Sequence, residues 1–383
     1  MTPPLSRRDF LAAGAAAGVS LLATGTASAA GPSAEIESVE VVSKLADKYH
    51  GWPTLARRRD GELLLVCSGG REAHVCPFGR VELMTSRDGG KNWTWPRVLL
   101  DSATDDRDAG VLETDRGTLL VTTFTSLAYE PILARRKSDD PAAFARWNAV
   151  HERMTPEQRR DDLGTWMLRS EDGGATWSGC YRVPVNSPHG PIRLSDGRLL
   201  YAGKELWTKE ERVGVAESAD DGKTWRWLAD IPTRPGDDHR EYHELHAVET
   251  SSGRVVVQIR NHNRANAGET LQCESDDGGR TWSVPHPIGV WGLPSHLLRL
   301  ADGRLLMTYG HRRPPFGNQA RVSADEGKTW SEPIVLSGDG AGGDLGYPST
   351  VQLDGGTLVT VWYELLSGNP NAVLRQARWR LTG

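Results

Sequence analysis

The 383-residue sequence is poor in cysteine and phenylalanine and has no surplus of positive charge. Four cysteines, Cys67, Cys76, Cys180 and Cys273, are too few for a disulfide-built scaffold, and none stands where a lipidated cysteine would follow a leader. Two buried thiols suit Cys67 and Cys76 better than a bridge across a hairpin. A formal net charge of -5 supplies no field for gripping a phosphate backbone, so nucleic acid is not an expected partner. Beyond the N-terminus no apolar run is long enough to cross a bilayer, and the mature chain is expected to have no stable span. Short metal-ligand spacings are missing too. His189, His243 and His296 are scattered, so no metal or other cofactor is called for.

The first residues read as an address. Ser6-Arg7-Arg8-Asp9-Phe10-Leu11 precedes an Ala-, Gly- and Leu-rich run and a small-residue cleavage site at Ala27-Ser28-Ala29. This is the pattern of a twin-arginine leader, residues 1–30, which implies export of residues 31–383 to the periplasm or beyond.

Fourteen Trp stand against five Phe, and repeats account for many of them. The octet Ser86-Arg87-Asp88-Gly89-Gly90-Lys91-Asn92-Trp93 returns at Ser170–Trp177, Ser218–Trp225, Ser275–Trp282 and Ser323–Trp330. Ser and Asp side chains bond a tight turn, Gly takes positive φ and Trp packs beneath, so these Asp boxes are structural rather than catalytic. A second repeat pairs a Gly turn with an apolar strand, first at Asp60-Gly61 before Leu63-Leu64-Leu65-Val66 and five more times, ending at Asp354-Gly355. Six such hairpins about fifty residues apart predict an all-β, six-bladed β-propeller. The strand Glu35 to Leu45 is placed to complete the last blade. The interval 127–165 in the second blade is an insertion, read from Pro141 to Asp162 as one or two short helices on the pocket face.

In a propeller the innermost strands bring distant residues together. Before the six hairpins stand His50, Asp108, His189, Glu244, His296 and Tyr347, and the following strands end near Arg71, His74, Arg260, Arg312 and Glu364. A ring of polar residues in equivalent places is the pattern of a ligand site.

Gly346-Tyr347-Pro348-Ser349, then Trp362-Tyr363-Glu364, together with Glu244 and Arg260, resemble the sialidase superfamily across essentially all of the mature chain. That resemblance implies a Tyr347 nucleophile, a Glu244 base, a supporting Glu364 and a substrate-carboxylate arginine at Arg260, with Arg312 or Arg313 near a second arginine's place. Sialidases depart from paired-carboxylate hydrolysis by using a tyrosine. A neutral phenol is not repelled by the substrate's acid group, and Glu draws off its proton as the bond forms. Arginine holds a carboxylate through paired bonds that lysine does not reproduce.

Two departures fall in the first blade. The family's Tyr-Arg-Ile-Pro is His50-Gly51-Trp52-Pro53 here, so one carboxylate-binding arginine is replaced by Gly51, and the loop Arg71 to Arg80 holds no aspartate to serve as the acid. Glu72 or His74 is left to donate the proton, with His74 preferred for its near-neutral intrinsic pKa, and Arg71 is positioned to offset the lost arginine. The leading expectation is an exo-acting hydrolase of a terminal acidic or modified sugar, weak on ordinary N-acetylneuraminic acid conjugates. A uronate-type polysaccharide lyase and a non-catalytic glycan-binding propeller remain the alternatives.

Overall fold

The computed structural model describes residues 31–383, and the leader assigned to residues 1–30 lies outside them. Six four-stranded antiparallel sheets follow one another as six blades. Their inner strands are Tyr49–Arg57, Asp105–Glu113, Ile192–Arg193, Tyr242–Glu249, Ser295–Arg299 and Leu345–Gln352. Ser33–Val41 completes the sixth sheet from the other end of the chain, with Ser33 opposite Thr382 and Val41 opposite Arg375. The expected closing strand therefore forms, displaced a few residues toward the N-terminus.

Blade packing explains why the hairpin strands read as unbroken apolar runs. Successive side chains point to opposite faces of a sheet, and each blade is covered on both. Leu63 and Leu65 pack with Val359 and Val361 of the sixth blade, whereas Leu64 and Val66 pack with Val111 and Val121 of the second.

The five octets are turns between third and fourth strands. In one, Ser170 Oγ donates to Asp172 and accepts from Gly174 N at 2.8 Å, while Thr176 N donates to Asp172 at 2.9 Å. The Thr176 bonds and that from Ser170 hold the Asp172 carboxyl at about 2, as suits an acid committed to a turn. Trp177 Nε1 closes the loop on Gly174 O.

The second-blade insertion holds three helices, α1 (Glu130–Asp139), α2 (Pro141–His151) and α3 (Pro156–Asp162), rather than one or two beginning at Pro141. The first is short of apolar period, since Leu133 is its one buried residue, and tertiary packing with Tyr129 and Trp147 secures it. Trp147 Nε1 donates to Glu72 at 2.9 Å and Arg146 clamps the same carboxylate at 3.2 Å, so the helices are fastened to the loop that carries His74.

Candidate functional site

Four inner strands share one irregularity. Their pairing register slips between Gly51 and Thr54, Arg107 and Gly110, His243 and His246, and Gly346 and Ser349. At each slip a residue other than glycine takes positive φ: Trp52 at 53°, Asp108 at 47°, Glu244 at 47° and Tyr347 at 53°. Each such conformation costs on the order of 1–3 kcal/mol, and four in matching places point to a site for which the bulges re-aim side chains.

Tyr347 and Glu244 meet there. The phenol donates to Glu244 Oε1, and Arg260 Nη1 lies 2.5 Å from Glu244 Oε2 and 3.2 Å from the phenol oxygen. Burial, and then the Glu244 charge, hold the phenol well above its ordinary pKa, so Tyr347 is neutral at rest. Burial also opposes ionisation of Glu244, but the Arg260 charge and the bonds from Tyr347 and Arg260 outweigh it and keep the carboxylate charged. Arg260 Nε donates to His262 Nε2 at 2.7 Å. Arg312 is anchored by Nε on Leu345 O at 3.0 Å, with its guanidinium carbon 5.8 Å from the Tyr347 ring. Asp108 is pushed up to about 7 by burial and by the neighbouring Glu244 charge.

The first blade contributes an aromatic wall. Trp52 is 1% exposed and touches the rings of His74 (5.1 Å), Tyr363 (5.9 Å) and Tyr347 (6.3 Å) edge-on or tilted. Arg107 lies over it at 4.2 Å. His74 is half exposed, and its Nδ1 lies 2.9 Å from Asp344 Oδ1 and 2.8 Å from the Tyr49 hydroxyl. Glu244, Tyr347, Arg260, Arg312 and Asp108 thus form one group, and the Trp52 ring stands between it and His74.

The sequence pattern of the BNR repeat-like domain matches residues 131–360, more than half of the chain. The chain belongs to that family. A sialidase of Micromonospora viridifaciens is 27% identical over 203 residues, 45% of this chain and 31% of the relative. A xyloglucanase of Paenibacillus is 30% identical over 208 residues, 47% of this chain and 19% of the relative. This BNR-repeat chain therefore matches less than a third of either curated relative. Among solved structures, a Dyadobacter fermentans protein of unknown function aligns with TM-score 0.76 and 22% identity, covering 91% of this chain and 99% of the other. Trypanosoma rangeli sialidase in complex with sialic acid aligns at 0.59 and 17%, covering 91% and 59%. These likenesses establish the sialidase-like propeller fold of this BNR-repeat protein.

Five residues expected at the site sit elsewhere in the BNR-repeat propeller. Arg71 is fully buried, its guanidinium paired with Asp105 at 2.6 and 2.9 Å and bonded to Ser68 Oγ and His74 O. His50 is buried within its blade, its Nδ1 on Lys48 O, and burial lowers its pKa to about 4. Glu364 is also buried, accepting from Trp362 Nε1 and from Arg375 at 2.7 Å, so it supports the sixth blade rather than Tyr347. His189 and His296 join His246, with ring centres 4.5–5.2 Å apart, in a separate channel cavity of about 450 Å³. Repeat position located His50 and His296 on inner strands, His189 just before one, and Arg71 and Glu364 at the ends of second strands, but did not give the direction of their side chains. Glu72 is likewise spent on α2, whereas His74 is half exposed.

Trp52, Asp344, Tyr49, Tyr363 and Arg107 are site residues that the pattern did not single out. Asp344 had one signal, its place three residues before Tyr347. Glu241, His243 and His262 bring potential ligand atoms within 4.8 Å of one another, but His262 Nε2 is already occupied by the Arg260 N–H.

Proposed function

We propose that this protein is an exo-acting glycoside hydrolase that removes a terminal acidic or modified sugar by way of a tyrosyl intermediate. The observation that carries this reading is the Tyr347–Glu244 hydrogen bond, with Arg260 against both partners. A neutral buried phenol beside an ionised carboxylate is a nucleophile and its base, poised before substrate arrives. Tyr347 attacks the anomeric carbon while its proton passes to Glu244, and His74 protonates the departing oxygen. Water then displaces Tyr347, which recovers its proton from Glu244. Arg312, which has no carboxylate partner among the described residues, and Arg260 supply guanidinium donors for an acidic group on the sugar. Asp108, pushed up to about 7 by burial and the Glu244 charge, supplies a further polar contact. The partly matched sialidase and xyloglucanase relatives support carbohydrate as the substrate class.

The test is a panel of sialyl, uronyl and neutral aryl glycosides, first with the parent protein and then with Tyr347→Phe. The expected result is turnover of at least one acidic glycoside, with kcat reduced about 10³-fold or more in the variant and KM changed little. Binding without turnover in the parent refutes the reading in favour of a glycan-binding propeller. Release of an unsaturated uronate refutes it in favour of a lyase.

A further inference from the structure

The loop that should carry the family's acid has no aspartate, yet the structure brings a carboxylate to it from the far end of the chain. Asp344, in the turn before the sixth inner strand, accepts from the hydroxyls of Tyr49 at 3.0 and 3.1 Å and of Tyr363 at 3.1 Å, and it lies 2.9 Å from His74 Nδ1. Burial would raise its pKa, but the bonds from His74, Tyr49 and Tyr363 outweigh that and hold it below the ordinary carboxylate value. Its negative charge is therefore present in the resting protein.

The bonding pattern fixes the histidine tautomer. Tyr49 spends its hydroxyl proton on Asp344, so at the 2.8 Å contact with His74 the Tyr49 oxygen is the acceptor and Nδ1–H the donor. Both neighbours of Nδ1 thus require a proton there, which leaves Nε2 as the nitrogen that exchanges one. The loop is held independently, because Arg71 donates to the carbonyls of Ala73 and His74, Arg107 donates to the latter, and α2 grips Glu72. The ring itself is braced against Trp52, whose other neighbours include Tyr347.

We infer that Asp344 is the positioning residue of the acid, orienting His74 so that Nε2 delivers the proton to the leaving oxygen. This rests on the hydrolase reading above. In the first step the imidazolium form of His74, with a proton on each nitrogen, passes its Nε2–H proton to the glycosidic oxygen as the bond from that oxygen to the anomeric carbon breaks and the bond to Tyr347 forms, which leaves the Nδ1–H tautomer that Asp344 holds. The aglycone leaves as a neutral alcohol. In the second step a water proton returns to Nε2 as the water oxygen bonds to the anomeric carbon, the bond to Tyr347 breaks and Glu244 gives the phenol its proton back. No redox partner or further reactant is needed.

The experiment uses the full mature chain and two glycosides of the same sugar, one with a nitrophenol leaving group that departs without protonation and one with a simple alkanol. For Asp344→Asn, kcat/KM is expected to fall about 10–10²-fold on the alkyl glycoside and several-fold less on the nitrophenyl one. Equal losses on both, or none, overturn the assignment, since a purely structural role does not depend on the leaving group. Asp344→Glu, which keeps the charge, should recover part of the alkyl activity if the Asn variant folds poorly. No recovery in a folded Glu variant counts against the assignment. Nitrogen-15 spectra of labelled histidine, with His74 identified by His74→Gln, provide a readout without substrate. The parent should show Nδ1–H at His74 and Asp344→Asn a mixed tautomer. An Nε2–H tautomer in the parent overturns the inference, even if the panel shows no turnover and the hydrolase reading itself fails.

Discussion

Arg71 provides a direct test of whether a residue is a substrate contact or a strut. Its guanidinium is buried beside the Trp52 ring at 4.8 Å and bound by both nitrogens to Asp105. Arg71→Met keeps much of the side-chain volume but leaves the Asp105 carboxylate buried, with only the 3.3 Å contact from Arg107 as a charged partner. Breaking one side of a buried pair costs about 3–5 kcal/mol. For a domain of roughly 350 residues the unfolding entropy near Tm is about 0.7 kcal/mol per degree, so Tm should fall by about 4–7 °C. Arg71→Met with Asp105→Leu removes both charges and should recover at least half of that loss. Scanning calorimetry at a fixed rate measures all three proteins, and glycoside kinetics follow on the same samples. An unchanged Tm with KM raised tenfold or more would refute the reasoning and return Arg71 to the substrate-binding place expected of it in partial replacement of the arginine missing at Gly51.

The other expectations concern protons and the vacant arginine position. Asp106 is fully buried and pushed up to about 8 by burial, with Asp105 and Asp162 adding to the shift against the Ser102 bonds. Its unfolded value is near 4, so between about pH 4 and 8 the folded chain holds a proton that the unfolded chain releases, and stability falls as pH rises. Asp106→Asn should therefore gain on the parent by as much as a few kcal/mol between pH 5 and 8; parallel Tm-against-pH curves for the two proteins would refute this. At Gly51 an added Cβ would stand 3.2 Å from Tyr49 Cε1, so Gly51→Arg must push on the ring that bonds Asp344. Lower turnover is expected on every glycoside in the panel, and a gain in kcat/KM on sialyllactose would contradict it.

The fold was legible because its signals are periodic. Six Gly hairpins and five turn octets recur about once per blade, stretched only by the second-blade insertion, and the strands between them must be apolar on both faces, as Leu63–Val66 shows. Tyr347, Glu244 and Arg260 were singled out by the resemblance to sialidases at equivalent blade positions, and their side chains meet in the structure. Direction was not legible. His50 and Trp52 are two residues apart on one strand, yet a register slip and a positive φ send Trp52 to the site and leave His50 in its blade. A one-residue irregularity reverses which side chains face the ligand, and nothing in local composition marks it. His189 and His296 failed for a complementary reason. His296 is on an inner strand and His189 just before one, as the repeats placed them, but the inner strands line the channel as well as the site.

The changes in the first blade form one rearrangement rather than separate losses. An arginine at position 51 would crowd Tyr49, and Tyr49 is one of the groups that hold Asp344 beside His74. The small residue and the new histidine–carboxylate pair are therefore sterically linked. Trp52 completes the exchange, for its buried ring separates the structural Arg71–Asp105 pair from Tyr347 while bracing His74. Asp344 has three donors and Glu244 has two. Satisfied polar groups beside four positive-φ residues accord with the proposed hydrolase site, in which His74 is oriented by a carboxylate from the other end of the chain.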